Sequence, residues 1–294
     1  MKARIGKTMA GAFFACMAAA VWGAAQPADF MSPHAGQWDL DISEMTGFID
    51  GHSAVEVREN QVPGTILRYS NLGLGLSEAP DARIRYWINP RNAIWLEGRA
   101  AIIRGSGSLN APANFNGATM SGGQTLDAQA DVYTFRAAYQ RRFPETTFWD
   151  WSLGAGLEYD YLNFTLDNGS AATLPGKAGA GTVEDFYMQE LPVPFLMVST
   201  DWRAAPAWVL EFSQQGSWIN RWDCLRSEGG EVYLSQSNLE TRVRVFYAGS
   251  ALGAIHPFAG IFLDYYYQLE NSAEDGNRVA FLSWGPELGL RWSF

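Results

Sequence analysis

An all-β fold, a closed antiparallel transmembrane β-barrel of ten to twelve strands, is what this sequence predicts. Three observations predict it. Apolar and polar residues alternate with period two over long stretches. The connections between those stretches alternate short, long, short. Beyond residue 25, no stretch approaches the roughly 20 consecutive apolar residues that a membrane helix needs. The 294 residues are 14% aromatic and only 18% charged, against about 25% charged in a usual soluble domain. So many rings exclude a disordered chain, and a mean hydropathy of -0.13 excludes a helical membrane protein.

The N-terminal segment comes first. Lys2, Arg4 and Lys7 precede an apolar run over residues 9–21, and Gly23-Ala24-Ala25 offers small residues for cleavage after Ala25. Residues 1–25 therefore read as a secretory signal peptide, with a buried N-terminal helix as the alternative. Cys16 follows Phe13-Phe14-Ala15, a poor lipoprotein signal. The remainder carries 18 basic and 31 acidic residues, a net charge of -13, which argues against nucleic acid as a partner. All of those cations except Lys177 are arginines, the residue suited to bidentate pairing in confined places. Only Cys224 remains after cleavage, so no intrachain disulfide forms and no zinc-type Cys/His spacing exists. An exported chain without disulfides suits a Gram-negative envelope. Residues 26–36 read as a flexible periplasmic start and 37–294 as the barrel.

The strands follow. In residues 147–161, Trp149, Trp151, Leu153, Ala155, Leu157, Tyr159 and Tyr161 share one face. Asp150, Ser152, Gly154, Gly156, Glu158 and Asp160 share the other, and Phe148 alone breaks the split. Residues 132–143, 239–247, 255–269 and 282–294 divide in the same way. Two segments are less regular. Neither face of 186–202 is polar, so its outward set stays open. In 82–96, Trp87 and Trp95 share parity with Arg83, Arg85 and Glu97; either these indoles point into the lumen or the register shifts there. The short connections are residues 89–92, 144–146, 203–206 and 250–253, and the long ones are 105–126, 167–184, 221–230 and 271–278. Short turns on one side and long loops on the other are the plan of an outer-membrane barrel, in which no strand edge is left facing lipid. Aromatics gather near the short-turn ends (Trp149, Trp151, Trp202, Trp208, Trp292) and near the long-loop ends (Tyr159, Tyr161, Phe186, Tyr187, Trp218, Tyr265, Tyr267, Trp284), as interfacial girdles do.

Counting back from Phe294 gives nine strands to about residue 81. An even total places the N-terminus beside the C-terminus, so residues 37–75 supply one strand or three. Residues 38–43 begin one; 53–57 and 65–69 are short strands or an inward-folded segment. Twelve is the favoured total, with ten the alternative.

The end of the chain, Leu288-Gly-Leu-Arg-Trp-Ser-Phe294, resembles the C-terminal signature of Gram-negative outer-membrane β-barrels, with Leu288, Leu290 and Trp292 at alternating positions before a terminal Phe. The resemblance implies the outer membrane as location, its lipid as surroundings, and insertion by the barrel-assembly machinery through Leu288, Leu290, Trp292 and Phe294. Gly64-Thr65 followed by Leu72-Gly73-Leu74 is similar to a motif of uncharacterised barrels of this class, and implies no activity.

The expected lumen carries Arg83, Arg85, Arg99, Arg136, Arg242, Arg244 and Arg291 against Glu97, Asp150, Glu158, Asp160, Glu211, Glu240, Asp264 and Glu287. This near balance points to mutual neutralisation, since buried charges must be paired. The alternatives are a narrow polar pore or a ligand pocket, for which the same residues other than Asp150 are the binding candidates. The histidines, His34, His52 and His256, show no catalytic arrangement legible in sequence. Neither the acids 158–160 nor the acidic loop 270–275 has the pattern of a catalytic pair or a calcium loop, and Lys177 lies outside any phosphate-loop spacing. No cofactor or metal is expected. The expected function is a non-enzymatic outer-membrane barrel, structural or a narrow porin-like pore with a charge-paired lumen. Two alternatives stand beside it: a surface barrel enzyme acting on lipid or peptide, and a soluble exported β-sandwich or lipocalin-like binder.

Overall fold

The computed structural model describes residues 32–58, 62–116, 118–144, 146, 148–167, 184–188, 192–223, 233–249, 252–272 and 276–294. The predicted leader, Lys177 and Cys224 lie outside these described residues. In chain order the strands are β1 (Trp38–Ile49), β2 (Ala54–Arg58), β3 (Leu67–Arg68), β4 (Leu76–Asn89), β5 (Asn92–Ser108), β6 (Ala113–Phe115), β7 (Ala118–Met120), β8 (Thr125–Pro144), β9 (Trp149–Asp167), β10 (Glu184–Met188), β11 (Val193–Ala205), β12 (Trp208–Asp223), β13 (Tyr233–Tyr247), β14 (Ile255–Asn271) and β15 (Gly276–Ser293).

Ten of these close a ring in the order β1-β4-β5-β8-β9-β11-β12-β13-β14-β15, and β15 pairs antiparallel with β1 from Asp39↔Ser293 to Ile49↔Ser283. The terminal backbone groups complete the seam: Trp38 and Phe294 exchange N–H···O bonds of 2.7 and 2.8 Å. β2 pairs with the outer end of β15, from Ala54↔Ala280 to Arg58↔Gly276, and β3 pairs with β2. These two bring the continuous path to twelve strands while the ring holds ten. The reason is length. Strands of five and two residues fall short of the roughly 9–11 needed to cross, and β2 continues the line of β1 beyond the turn at 50–53. Within the expected range, the wall therefore closes on ten rather than the favoured twelve.

The alternation read in sequence sorts the side chains. Leu153, Leu157, Tyr161, Phe135, Tyr139, Ile261, Leu263, Leu288 and Leu290 face outward and are exposed, while their polar neighbours along each strand are buried inside. Both irregular segments are explained by what lies inside. Trp87 and Trp95 point inward: the Trp87 indole N–H donates to Asp39 at 2.7 Å, and Arg83 lies over the Trp95 ring at 4.7 Å. On β11, Val193, Phe195 and Met197 turn inward and Leu196, Val198 and Trp202 outward. Over residues 193–198 both faces of β11 are apolar because its inner face there packs on Trp95 and Ala138, and the inner face turns polar at Ser199 and Asp201. Trp149, Trp202 and Trp208 are exposed at the short-turn end, and Trp218, Tyr161, Tyr265 and Trp284 toward the long loops. Phe186 and Tyr187 fall in β10, whose side chains lie outside the described residues. Two acids, Glu44 and Glu78, interrupt the outward face of β1 and β4.

Candidate functional site

The lumen has two tiers. The inner one, toward the short turns and termini, is ionic. Arginine and glutamate reach it because they occupy inward positions of strands whose outward positions are apolar, and their length lets them meet across the cylinder. Glu240 of β13 accepts from Arg99 of β5 at 2.7 Å and from Arg136 of β8 at 2.9 Å. Arg136 also donates to Glu97 at 2.6 Å and Glu158 at 2.5 Å. Arg242 reaches back from β13 to Asp81 of β4 at 3.1 Å, and also meets Glu240 beside it. Lower down, Arg291 binds Asp41 through two bonds of 2.6 and 2.7 Å and Glu211 at 3.0 Å. Arg244 joins Glu287 at 2.6 Å and Glu211 at 3.2 Å. Arg83 pairs with Glu97, Arg142 with Asp150, and Arg85 lies 3.8 Å from Asp39.

The outer tier is apolar. Residues 67–75 fold inward between β2 and β5, placing Leu67, Tyr69, Leu72 and Leu74 against Ile103, Leu126, Leu162, Phe164 and Val132 of the wall. The β6–β7 hairpin adds Phe115, and Thr65 clasps it: Thr65 N–H donates to the Asn114 carbonyl at 2.7 Å, and the Thr65 hydroxyl accepts from Asn114 N–H at 2.9 Å. Gly73 closes the 3-10 turn 69–72 with φ +71°, a left-handed conformation that glycine adopts without a Cβ clash. A Cβ there would also lie 2.2 Å from the Ser106 carbonyl oxygen. The two motif elements read in sequence, 64–65 and 72–74, are thus the clasp and the turn of this plug.

Every lumen candidate named from sequence (Arg83, Arg85, Glu97, Arg99, Arg136, Asp150, Glu158, Asp160, Glu211, Glu240, Arg242, Arg244, Asp264, Glu287 and Arg291) is buried and inward. Sequence reasoning missed Asp39, Asp41 and Asp81, and left Arg142 out of the charge count although its parity placed it inward. The alternation of Trp38-Asp39-Leu40-Asp41-Ile42 was the signal that could have found two of them. With these and the buried Glu270 included the charges do not balance: twelve buried inward acids face eight buried arginines among the described residues.

A closed ring with apolar residues outside and an ion-paired interior has only one stable setting, a lipid bilayer. The chain is a transmembrane β-barrel. No family model matches it, and no curated relative does. Solved structures that overlay on the barrel include the outer-membrane protease OmpT of Escherichia coli, at 10% identity and a TM-score of 0.49, covering 87% of this chain and 97% of that one. OprG of Pseudomonas aeruginosa overlays at 9% identity and 0.39, covering 90% and 99%. The translocator domain of the autotransporter NalP of Neisseria meningitidis does so at 12% and 0.40, covering 98% and 95%.

The histidines of the barrel are scattered. His256 is buried at the inner end opposite Arg291, His52 is exposed on the outer turn beside Asp50, and His34 is exposed before β1. Among the described residues no group of three or more His, Cys, Asp or Glu could hold a metal ion.

Proposed function

We propose that this protein is a non-enzymatic outer-membrane barrel with a structural lumen, sealed in its inner tier rather than open as a pore. One observation carries this reading: the ion pairs cross the lumen instead of lining it. Glu240 ties β13 to β5 and β8, and Arg242 ties β13 to β4, so charged side chains occupy the axis where a channel would run. Barrels near this strand number have little interior to spare. Each of the eight buried arginines lies within 3.8 Å of a carboxylate, which supports neutralisation over solute binding in the inner tier. In planar bilayers the purified barrel is expected to stay silent; a steady ohmic conductance would overturn the reading.

The C-terminal residues Leu288, Leu290, Trp292 and Phe294 serve in this reading as the docking signal for the barrel-assembly machinery. Phe294→Ala is expected to slow insertion into vesicles that contain the machinery and to leave spontaneous refolding into bare vesicles unchanged. Equal slowing in both would assign Phe294 to the seam instead.

A further inference from the structure

Where the two tiers meet, the wall of β13 and β14 changes character. Its inward residues there are Gln236, Asn238, Asp264 and Gln268, all buried. The register sets them side by side, with Gln236 opposite Gln268, Asn238 opposite Tyr266 and Glu240 opposite Asp264. Their hydrogen bonding is incomplete. Gln236 Oε1, Asn238 Oδ1, Asp264 Oδ1 and Gln268 Nε2 are buried without a hydrogen-bond partner, as is the Tyr69 hydroxyl of the plug above. Four or five orphaned polar atoms in one patch are unusual, because each carries a desolvation cost of about 1–3 kcal/mol.

The leftover capacity has a direction. Three of the four wall atoms are acceptors. The inward residues of β13 over 234–240 and of β14 over 264–270 include no lysine or arginine; Arg99 of β5 faces them but meets Glu240 and the other oxygen of Asp264, at 2.7 and 3.1 Å, and the buried lumen holds more acids than arginines. A ligand that satisfies this patch donates hydrogen bonds and is positively charged. Directly above, Tyr266 stacks on Phe281 and Tyr69 lies against Phe164, ring centroids 5.2 and 6.2 Å apart. Aromatic faces attract a desolvated cation, and the apolar tier around them suits a hydrocarbon tail. Water would satisfy the acceptors but leave the acid excess in place.

We propose that this junction binds a small amphiphilic organic cation, an aliphatic ammonium ion. Its head donates to Gln236, Asn238 and Asp264, and its tail lies in the apolar tier beside Tyr69. The site goes beyond the structural reading of the inner tier.

The probe is hexylammonium chloride, titrated calorimetrically into the full-length barrel in neutral maltoside micelles, with hexanol, sodium hexyl sulfate and ammonium chloride as comparisons. Saturable binding of hexylammonium alone is expected, weakened about ten-fold or more by Asp264→Asn, the loss expected for a hydrogen bond to a charged group. Asp264 also pairs with Arg99, so if that variant gives no heat-modifiable folded band, Asn238→Leu carries the test with the same expected loss. No saturable binding, equal binding of hexanol or hexyl sulfate, or affinity unchanged in the folded variants would each overturn the proposal. So would a crystal grown with hexylammonium that shows only ordered water at the strip.

Discussion

The inner and outer tiers fill the same ten-stranded cylinder with opposite chemistry, and the wall dictates which is used. In the inner tier the inward positions hold long residues, Arg136, Glu158, Glu240 and Arg242, whose side chains span the lumen and meet at its axis. In the outer tier the inward positions of β4, β5 and β8 include Ala79, Ala101, Ala128 and Ala130. Alanines cannot reach the centre, so that space is filled by chain folded in from residues 67–75. One tier is built by reach, the other by insertion.

The two tiers should therefore fail differently, and the largest effect belongs to the ionic one. Arg136 touches Glu97, Glu158 and Glu240 with its side chain fully buried. Arg136→Met leaves three carboxylates without their shared cation and is expected to destabilise the barrel by about 3–5 kcal/mol. Urea unfolding in micelles, followed by loss of heat-modifiable gel mobility, would measure it. A change below about 1 kcal/mol, the range of an exposed pair, would mean that water enters the inner tier and that the contrast with the outer tier is false. The matching test above is Leu72→Ala, expected to cost about 2–4 kcal/mol through the cavity it leaves. It should loosen the plug while the ion pairs below persist, so proteolysis at residues 62–75 should rise before the folded band is lost. Simultaneous loss of both would join the tiers into one cooperative unit.

Much of this architecture was legible in the sequence, and the limits of that legibility follow the same division. Long strands with clean parity, such as 149–161, announced both wall and lumen because one face must meet lipid and the other must not. Legibility failed where the inner face is itself apolar. Val193, Phe195 and Met197 carry no polar mark to separate them from Leu196 and Val198, and only the neighbouring Trp95 decides the matter. The choice between ten and twelve strands stayed open for a related reason. Residues 54–58 alternate like a strand because Val55 and Val57 do face inward, but they prolong β1 and add no crossing. The lumen acids at 39 and 41 sit near the start of β1, where the period-two pattern is shortest, and Asp81 lies just before the stretch 82–96 over which parity was read. Pairing partners could not be read at all, since Arg242 and Asp81 are brought together by ring closure.

A smaller effect sharpens the comparison at the junction. The Tyr69 hydroxyl is buried without a partner, and burial holds its phenol above the ordinary range. In the apolar tier an orphaned hydroxyl is a liability, so Tyr69→Phe should leave stability unchanged or raise it by about 1 kcal/mol in the absence of ligand. In the ionic tier, removing one partner of a buried pair is expected to destabilise, because it leaves the other charge uncompensated. A loss of more than about 1 kcal/mol on Tyr69→Phe would show that the hydroxyl makes a structural bond, and that polar satisfaction matters as much above the junction as below it.

The smallest effect lies outside both tiers, on the turn at 50–53 that links β1 to β2. Asp50 accepts from the His52 backbone N–H at 2.8 Å, and His52 Nδ1 lies 3.0 Å from the same carboxylate oxygen. These bonds favour the charged carboxylate and hold its pKa below the usual range. A group whose pKa is depressed on folding adds stability above its unfolded value, near 3.9, and loses it as pH falls through the lower folded value. Because the turn is exposed, the expected contribution is at the edge of detection at neutral pH. Wild type and Asp50→Asn should therefore unfold at slightly different urea midpoints at neutral pH, and that difference should vanish only in strong acid. A difference that stays constant down through the carboxylate range would mean that the turn is held by its backbone rather than by the ionised side chain. In that case the plug above it would be anchored by Ser53, whose carbonyl accepts from Tyr69 N–H at 2.8 Å, and the outer tier would depend on no charge at all.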